Sequence, residues 1–522
     1  MVALPAIGLL LVVVADLVPS KPIVDQLVED QSSGRLSPEQ YDQSAYGNQI
    51  DEFTECIGAT MGLGNPVGTN PLESAIRSPT LGNCESTTER IDTYLAGDGL
   101  ERSYDYYRYW HGYAVISRPL LAVVGLAGLR LLSTMALIAM MAGLARSVVR
   151  RHGAVTAAVL FLPFVLTTDF IDLGTEFTHA IGVMAILGSS WCAFEVVARD
   201  TSISRIATAS MIAGALVVFA DFLTMPPGGW ALCTALIGLA AVGVHRGRAL
   251  SARLGVATVF WAFGYGWMWL SKWVLAGLVA GFGTVRDNIS SQVQLRVDGE
   301  QVAVEQRWLA SIQRNVETWW EMPLSRFVLV ALVLTCGVVV WRRSTGSGAP
   351  GVDVRWTDRA LLATPAALPL LWYEILRNHS QVHYWFTYRS VAIALGILAA
   401  AVVARIGPTS PVAPAHQRSA THPRTGDAGD RSDHPAERRR SSISSARTTA
   451  WLCSVSLAPK TRVTRPSVVR STRASTRSSR SSSSPRYRDR NSSQRSGSWP
   501  NHLRSSVDGA ICLHHSSSWA SS

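Results

Sequence analysis

The residues best suited to chemistry lie in short polar stretches between long apolar runs. Asp51, Glu52 and Glu55 form an acidic cluster just ahead of Cys56. A carboxylate in such a place can act as a general base or hold a divalent cation. The same residues also suit a solvated loop or the start of a helix. Asp169, Asp172, Glu176 and His179 follow one another at intervals of three, four and three. On a helix that spacing predicts one shared face. Carboxylates beside a histidine can relay protons or bind metal, although Gly174 can break the helix and the run can simply mark an aqueous boundary. His379 and His383 stand four apart, with Arg389 close behind. Two imidazoles and a guanidinium at a membrane surface suit a phosphate or sugar headgroup, whereas Tyr384, Trp385 and Tyr388 could serve only as interfacial anchors. The stretch lacks the HExxH pattern of zinc proteases. His111 and Arg118 flank another aromatic segment and are expected to face the same site. The reacting metal and any cofactor stay open, because no CxxC or Cys/His metal pattern occurs.

The elements that must position these groups are membrane helices. Of 522 residues, 48% are hydrophobic and only 16% charged, against about 25% charged in a soluble protein. From Arg405 onward the chain carries a net charge of +14, and the first 404 residues carry −3. The basic excess therefore belongs to the tail and is no sign of a specific nucleic-acid partner for the rest. Together these totals exclude an ordinary soluble enzyme, a secreted disulfide-rich domain and a wholly disordered chain. An all-α integral membrane protein is expected.

A span needs about 20 mostly apolar residues, and about ten runs approach that length. They are Val2–Val18, a stretch within Leu120–Ala145, Ala154–Phe170, Ala180–Ala198, Ile206–Thr224, Trp230–Val244, Val256–Leu275, Phe327–Trp341, Ala360–Trp372 and Val391–Val403. Every second junction is basic: Arg146 to Arg151, Arg199 to Arg205, His245 to Arg253, Arg342 with Arg343, and Arg405. Basic loops stay in the cytoplasm. The N-terminus and the tail are then cytoplasmic, and the protein is a multi-pass protein of the cell membrane. The outer loops are about 19–113, 171–179, 283–326 and 373–389. Val2–Val18 is read as a retained anchor, since it has neither a basic n-region nor a clean cleavage site. Cys56 and Cys84 are the two cysteines of the outer loops, and a disulfide between them fits an oxidising compartment.

Three further expectations concern local structure. Tyr106, Tyr109, Trp110, Tyr113 and Ile116 fall at helical spacing, so Tyr104–Tyr113 reads as an interfacial helix at the end of a large first outer loop. Asp298-Gly299 between Val293–Val297 and Gln301–Glu305 reads as a hairpin, with a helix over Ala310–Trp320 after it. Arg130 sits inside an apolar run and should pair inward or mark a cavity. Beyond about residue 406 the chain is Ser-, Arg- and Pro-rich and is expected to be disordered. With three lysines against many arginines, it also fits out-of-frame reading of GC-rich DNA.

The Asp51 segment, Arg108-Tyr109-Trp110-His111-Gly112-Tyr113, Arg118-Pro119-Leu120-Leu121 and Asn378-His379-Ser380 with His383 and Phe386-Thr387-Tyr388-Arg389 resemble a group of uncharacterised bacterial multi-pass membrane proteins. The resemblance covers roughly residues 1–405. More distantly, the architecture resembles C-type membrane glycosyltransferases, which use lipid-phosphate-linked sugars. That resemblance implies Asp51 as the catalytic base, with Arg118, His383 or Arg389 on the lipid phosphate. One departure is that Asp51 lies well beyond the first span, whereas the family acid is close to it. The expected function is transfer of a sugar from a polyprenyl-phosphate-linked donor on the outer face, with membrane lipids as partners. A transporter or lipid flippase, and a non-catalytic envelope assembly protein, are the alternatives.

Overall fold

The computed structural model of the chain describes residues 2–39, 41–43, 49–65, 69–221, 223–297, 304–346 and 352–406. The tail and the Asp298-Gly299 turn lie outside these residues. Apolar runs become helices, because only internal hydrogen bonding satisfies a backbone removed from water. Helix α1 (Ala3–Asp16) turns by 69° into α2 (Ser20–Ser32). Pro19 lies at that turn, and a residue before proline is steered away from helical geometry.

The segment that follows α2 is folded rather than loose. Strand β1 (Tyr41–Gln43) pairs antiparallel with β2 (Gln49–Asp51), Tyr41 opposite Asp51. Helix α3 (Glu52–Ala59) follows, then α4 (Pro71–Arg77), β3 (Pro79–Thr80), α5 (Cys84–Leu95) and β4 (Tyr104–Asp105), the last paired with β3. Asp51, Asn70 and Asn83 cap α3, α4 and α5 by accepting amide hydrogens of the first turn. A Cys56–Cys84 disulfide ties α5 to α3. Ile23, Leu27, Ile57, Leu63, Leu81 and Ile91 form a core of their own, shared with Leu121, Leu129 and Phe177.

The remaining helices are α6 (Ala114–His152), α7 (Ala154–Thr167), α8 (Phe177–Val197), α9 (Ile203–Ala220), α10 (Pro226–Val242), α11 (Arg248–Ala280), α12 (Phe282–Val297), α13 (Ala310–Glu321) and α14 (Ser325–Ser344). Strand β5 (Val352–Asp353), α15 (Trp356–Ala363), α16 (Leu368–Ile375), α17 (Arg377–Val382), α18 (Tyr384–Thr387), α19 (Arg389–Val403) and β6 (Arg405–Ile406) complete the order. Among the described residues, five helical stretches are long and apolar enough to cross a membrane: α6, α8, α9, α14 and Tyr384–Val403. Counting the bent α1–α2 pair as one span makes six. The count of ten is not reached on length and composition. Helices α7 and α10 are apolar but have only 14 and 17 residues. The ninth run is broken into α15, a 3-10 turn at Thr364–Ala367 and α16; Pro365 and Pro369 remove helical donors there.

Two features set the packing. Helices α9 and α11 cross closely because Gly214 faces the Trp261 carbonyl and Gly264 faces the Met211 carbonyl. A Cβ on either would come within 2.1 Å of that oxygen. Among the five candidate spans Tyr384–Val403 is the most enclosed, with Arg389, Ala392, Ile397 and Ala400 buried, and α14 the most open, with Phe327 73% exposed. The basic junctions gather at one end. Arg151 pairs with Glu195 at 2.9 Å, His152 with the Arg405 carbonyl at 3.0 Å, and Arg343 donates to the Val402 carbonyl at 2.7 Å. In the same layer Arg253 donates to the Thr201 carbonyl at 3.1 Å.

Two local expectations are corrected. Tyr104–Tyr113 is not a helix but a short strand and turns. His111 has a left-handed φ of 54°, and the Gly112 amide donates to the Phe219 carbonyl at 2.7 Å. Tyr109, Trp110 and Tyr113 are buried instead of lying along an interface. Val293–Val297 closes helix α12 rather than forming a strand. The helix expected over Ala310–Trp320 is present as α13.

Candidate functional site

The end of the molecule away from the basic junctions gathers the N-termini of α3, α8 and α19. Asp51 is the N-cap of α3, held by the Thr54 amide at 2.9 Å and by the Thr54 hydroxyl. Its own amide donates to Glu176 Oε1 at 2.5 Å, joining the start of α3 to the start of α8. One turn into α8, His179 places Nε2 3.3 Å from Asp51 Oδ2 and Nδ1 2.6 Å from Glu176 Oε2, neither in hydrogen-bond geometry, and Arg389 Nη1 lies 3.3 Å from the same Nδ1. At the start of α19, Arg389 grips Asp169 with Nε at 2.7 Å from Oδ1 and Nη2 against Oδ2. The same Nη2 lies 3.6 Å from Glu176 Oε2. Glu55 pairs with Arg130 of α6 and accepts the Phe177 amide at 3.3 Å.

Asp51, Glu55, Asp169, Glu176, His179 and Arg389 are all buried. Four carboxylates thus face two guanidiniums and one imidazole in a dry setting. The positive ends of the helices favour carboxylates there, and partners are needed because an unpaired buried charge is costly. Burial works to raise the Asp51 carboxyl, but His179 and the Thr54 donors hold it below its ordinary value. Glu55 is pushed the other way: burial raises it against the opposing charge of Arg130.

The expected charged face is assembled differently from the simple spacing rule. Asp169 ends the segment after α7, Asp172 opens a 3-10 turn at Asp172–Thr175, and α8 starts only at Phe177. The folded-back turn still brings Asp169, Glu176 and His179 together around Arg389. Asp172 is half-buried at the start of the turn.

His379 and His383 do share a face, with ring centroids 4.8 Å apart. His383 stacks on Phe386 at 5.2 Å, and Phe386 meets the His179 ring edge-on at 5.5 Å. The two histidines therefore back onto the cluster through one phenyl ring. His379 Nε2 is 3.2 Å from the Leu223 carbonyl.

Two other expected residues serve as ties within the protein. Arg118 donates from Nε to the Ala15 carbonyl at 3.0 Å, from Nη2 to Val18 at 3.1 Å and from Nη1 to Met61. It thereby clamps the end of α1 to the turn after α3. His111 Nε2 lies 2.6 Å from the Tyr106 carbonyl and Nδ1 3.0 Å from the Tyr113 hydroxyl. Burial, reinforced by the Lys272 charge, lowers His111 to about 3. The imidazole is neutral, donating through Nε2 and accepting through Nδ1.

Sequence reasoning did not single out Lys272. Its ammonium is buried and donates to the Ala75 and Ile76 carbonyls at 3.0 and 2.9 Å and to Ser78 Oγ. It caps the C-terminus of α4. A lysine within an apolar run was the available signal. Glu55 stood out in the acidic cluster, Asp169 in the spaced set and Arg130 as a charge inside an apolar run, but nothing local joined the three in one site.

Among the described residues, no group of three or more His, Cys, Asp or Glu side chains is arranged to hold a metal. Comparison with protein-family models, curated proteins and solved structures finds no match to this chain.

Proposed function

We propose that this chain is a multi-pass protein of the cell envelope that transfers a sugar, or a related group, from a lipid-linked donor at the outer face of the membrane. The supporting observation is the Asp51–His179 contact, backed by Glu176. A carboxylate paired with an imidazole can take a proton from an acceptor hydroxyl. In this reading Asp51 is the base, and the His179 imidazole beside it steadies its charge. Arg389 keeps the assembly in register through Asp169. His379 and His383, one phenyl ring away, stand where they could meet a departing phosphate group. A polyprenyl-phosphate-linked sugar suits this arrangement, because such a donor is anchored in the bilayer and carries a phosphate for the histidines to meet.

The basic junctions at the opposite end, together with the positive-inside rule, support an outer position for the cluster. The ten-span topology, with both termini cytoplasmic, belongs to the same proposal.

A second reading, proton-coupled transport, is favoured by one feature. His179 is a buried imidazole with a carboxylate oxygen within 3.3 Å of each ring nitrogen, the kind of group a proton-coupled transporter uses. One experiment separates the two. Envelope glycolipids and polysaccharides are profiled by mass spectrometry in a deletion strain restored with wild type or with Asp51→Asn. Transfer predicts that one sugar modification vanishes on deletion and returns only with wild type. An unchanged profile, or full rescue by Asp51→Asn, would discard catalysis at Asp51.

A further inference from the structure

A second polar feature lies at the bend between α1 and α2, away from the charged cluster. A cavity of about 340 Å³ opens there against the turn that follows α3. That volume falls within the range of about 300–1,000 Å³ usual for small-molecule sites. Helix α3 separates it from Asp51. The helix has eight residues, so the two sites stand about 12 Å apart along its axis.

The lining has a defined chemistry. Asp16 closes α1 at the cavity wall, 4.0 Å from Arg118 and beside the Ser74 hydroxyl, with which it interacts. The Arg118 guanidinium is already occupied by three carbonyls. Gly62, with φ +84°, allows the approach: a Cβ there would lie 2.6 Å from Asp16 Oδ1. Asn65 donates from Nδ2 to Ser74 Oγ at 2.7 Å. Its Oδ1 is buried with no hydrogen-bond partner among the described residues. A buried acceptor in that state is open to a donor that water or a ligand hydroxyl can supply. Tyr94 adds an aromatic ring to the wall. The cation at the rim, Lys21, is exposed and already paired with Asp25 at 2.7 Å.

Carboxylate and amide acceptors, a serine hydroxyl and an aromatic wall match a neutral compound with several hydroxyl groups. An anion suits the site poorly, since Asp16 would repel it and Lys21 is engaged. We propose that this cavity binds the ring of an uncharged sugar, either as a free saccharide or as the headgroup of a glycolipid. Asp16 and Asn65 accept its hydroxyl hydrogens, and Tyr94 packs on its apolar face.

The test uses the full chain in phosphatidylcholine nanodiscs and isothermal titration. The probes are methyl α-glucoside, methyl α-mannoside and methyl α-galactoside, their octyl counterparts, and inorganic phosphate. At least one hexoside is expected to bind saturably, with a Kd of about 1 mM. Octyl binding at least tenfold tighter than methyl binding identifies a glycolipid headgroup, and equal affinities identify a free saccharide. Asp16→Asn and Tyr94→Leu are each expected to weaken binding at least tenfold while keeping wild-type circular dichroism and elution volume. Asp51→Asn is expected to bind as wild type does, so failure of the transfer reading and failure of this one are told apart. Absence of binding by all three hexosides, wild-type affinity in both cavity variants, or displacement of the sugar by phosphate overturns the proposal.

Discussion

Arg389 and Asp169 are 220 residues apart in sequence, yet the guanidinium fork grips both carboxylate oxygens with neither side chain in contact with solvent. The pair bolts the start of α19 to the end of α7. Farther along the same two helices, Gly396 packs directly against the Leu160 carbonyl. The ion pair therefore fixes one end of a close crossing, and it sets the height at which Glu176 and His179 meet Asp51.

Breaking this pair should be costly in an asymmetric way. Arg389→Gln leaves the Asp169 carboxylate buried without its partner, and a loss of about 3–5 kcal/mol is expected. Arg389→Lys keeps the charge but not the two-point grip, so it should fall between wild type and Arg389→Gln. The double variant Arg389→Met with Asp169→Leu removes both charges and should unfold later than either single variant. Thermal unfolding in nanodiscs reads the order. A double variant that costs the sum of the two singles would mean the pair is not the source of the effect.

His111 gives a pH dependence. Its folded value, about 3, lies below the ordinary value of 6.5. The unfolded chain therefore binds the extra proton first as pH falls. The stability contributed by the neutral ring is fully present above about 6.5 and declines toward the folded value near 3, by about 1.4 kcal/mol per pH unit. At pH 5 the expected loss is about 2 kcal/mol. His111→Asn does not titrate, and asparagine tolerates the left-handed backbone found there. Its unfolding temperature should fall less than that of wild type between pH 7.5 and 5. Parallel falls in the two proteins would remove His111 as the source.

The helices were legible in the sequence because a long apolar run leaves the backbone one inexpensive solution. Their interruptions were less so. Pro365 and Pro369 carried the signal that breaks the ninth run, but Gly125 is one glycine among many in apolar surroundings. The aromatic spacing of Tyr104–Tyr113 matched an amphipathic helix. The left-handed turn at His111 and the hydrogen bond from Gly112 to Phe219 come from tertiary packing, which periodicity does not encode. At the candidate site, Asp169, Glu176 and His179 were visible as a spaced set. They meet through a 3-10 turn instead of the helix that the spacing suggested. The partner Arg389 had no local signal tying it to Asp169, and Lys272 was passed over inside its run.

The break in α6 leads to a stability prediction. At Gly125 the backbone takes φ 64° and ψ −173°, and the Leu126 amide beyond it is received by Asp30 Oδ2 at 3.0 Å. Asp30 so acts as a remote cap for the second half of the helix, steadied by Arg35 at 2.7 Å. Asp30→Ala should cost about 1–2 kcal/mol, as loss of a helix cap does. Gly125→Ala should cost about 1–3 kcal/mol from backbone strain alone, and more because its Cβ would fall 2.5 Å from Gln26 Oε1. Chemical unfolding of both variants checks this. A neutral Gly125→Ala would mean that α6 runs straight through the position.

The Cys56–Cys84 disulfide tests the placement of the first outer segment as well as its stability. Both sulfurs are buried in the small core beside α3 and α5. The bridge closes a loop 28 residues long, for which chain entropy gives a contribution of about 3–4 kcal/mol. Cys56→Ser with Cys84→Ser should lose that amount, seen as earlier proteolysis of the segment between α2 and α6 with α6 to α19 still protected. Orientation enters through redox chemistry, since such a bridge persists only on the oxidising side of the membrane. In protein denatured directly from acid-quenched cells, a thiol-reactive maleimide applied without reductant should leave both cysteines unlabelled, and it should label both once reductant is added. Labelling of Cys56 and Cys84 without reductant would place the segment in the cytoplasm. The Asp51 cluster, joined to this segment through the start of α3, would then be cytoplasmic too, and the donor sought for it would have to be one available on that face.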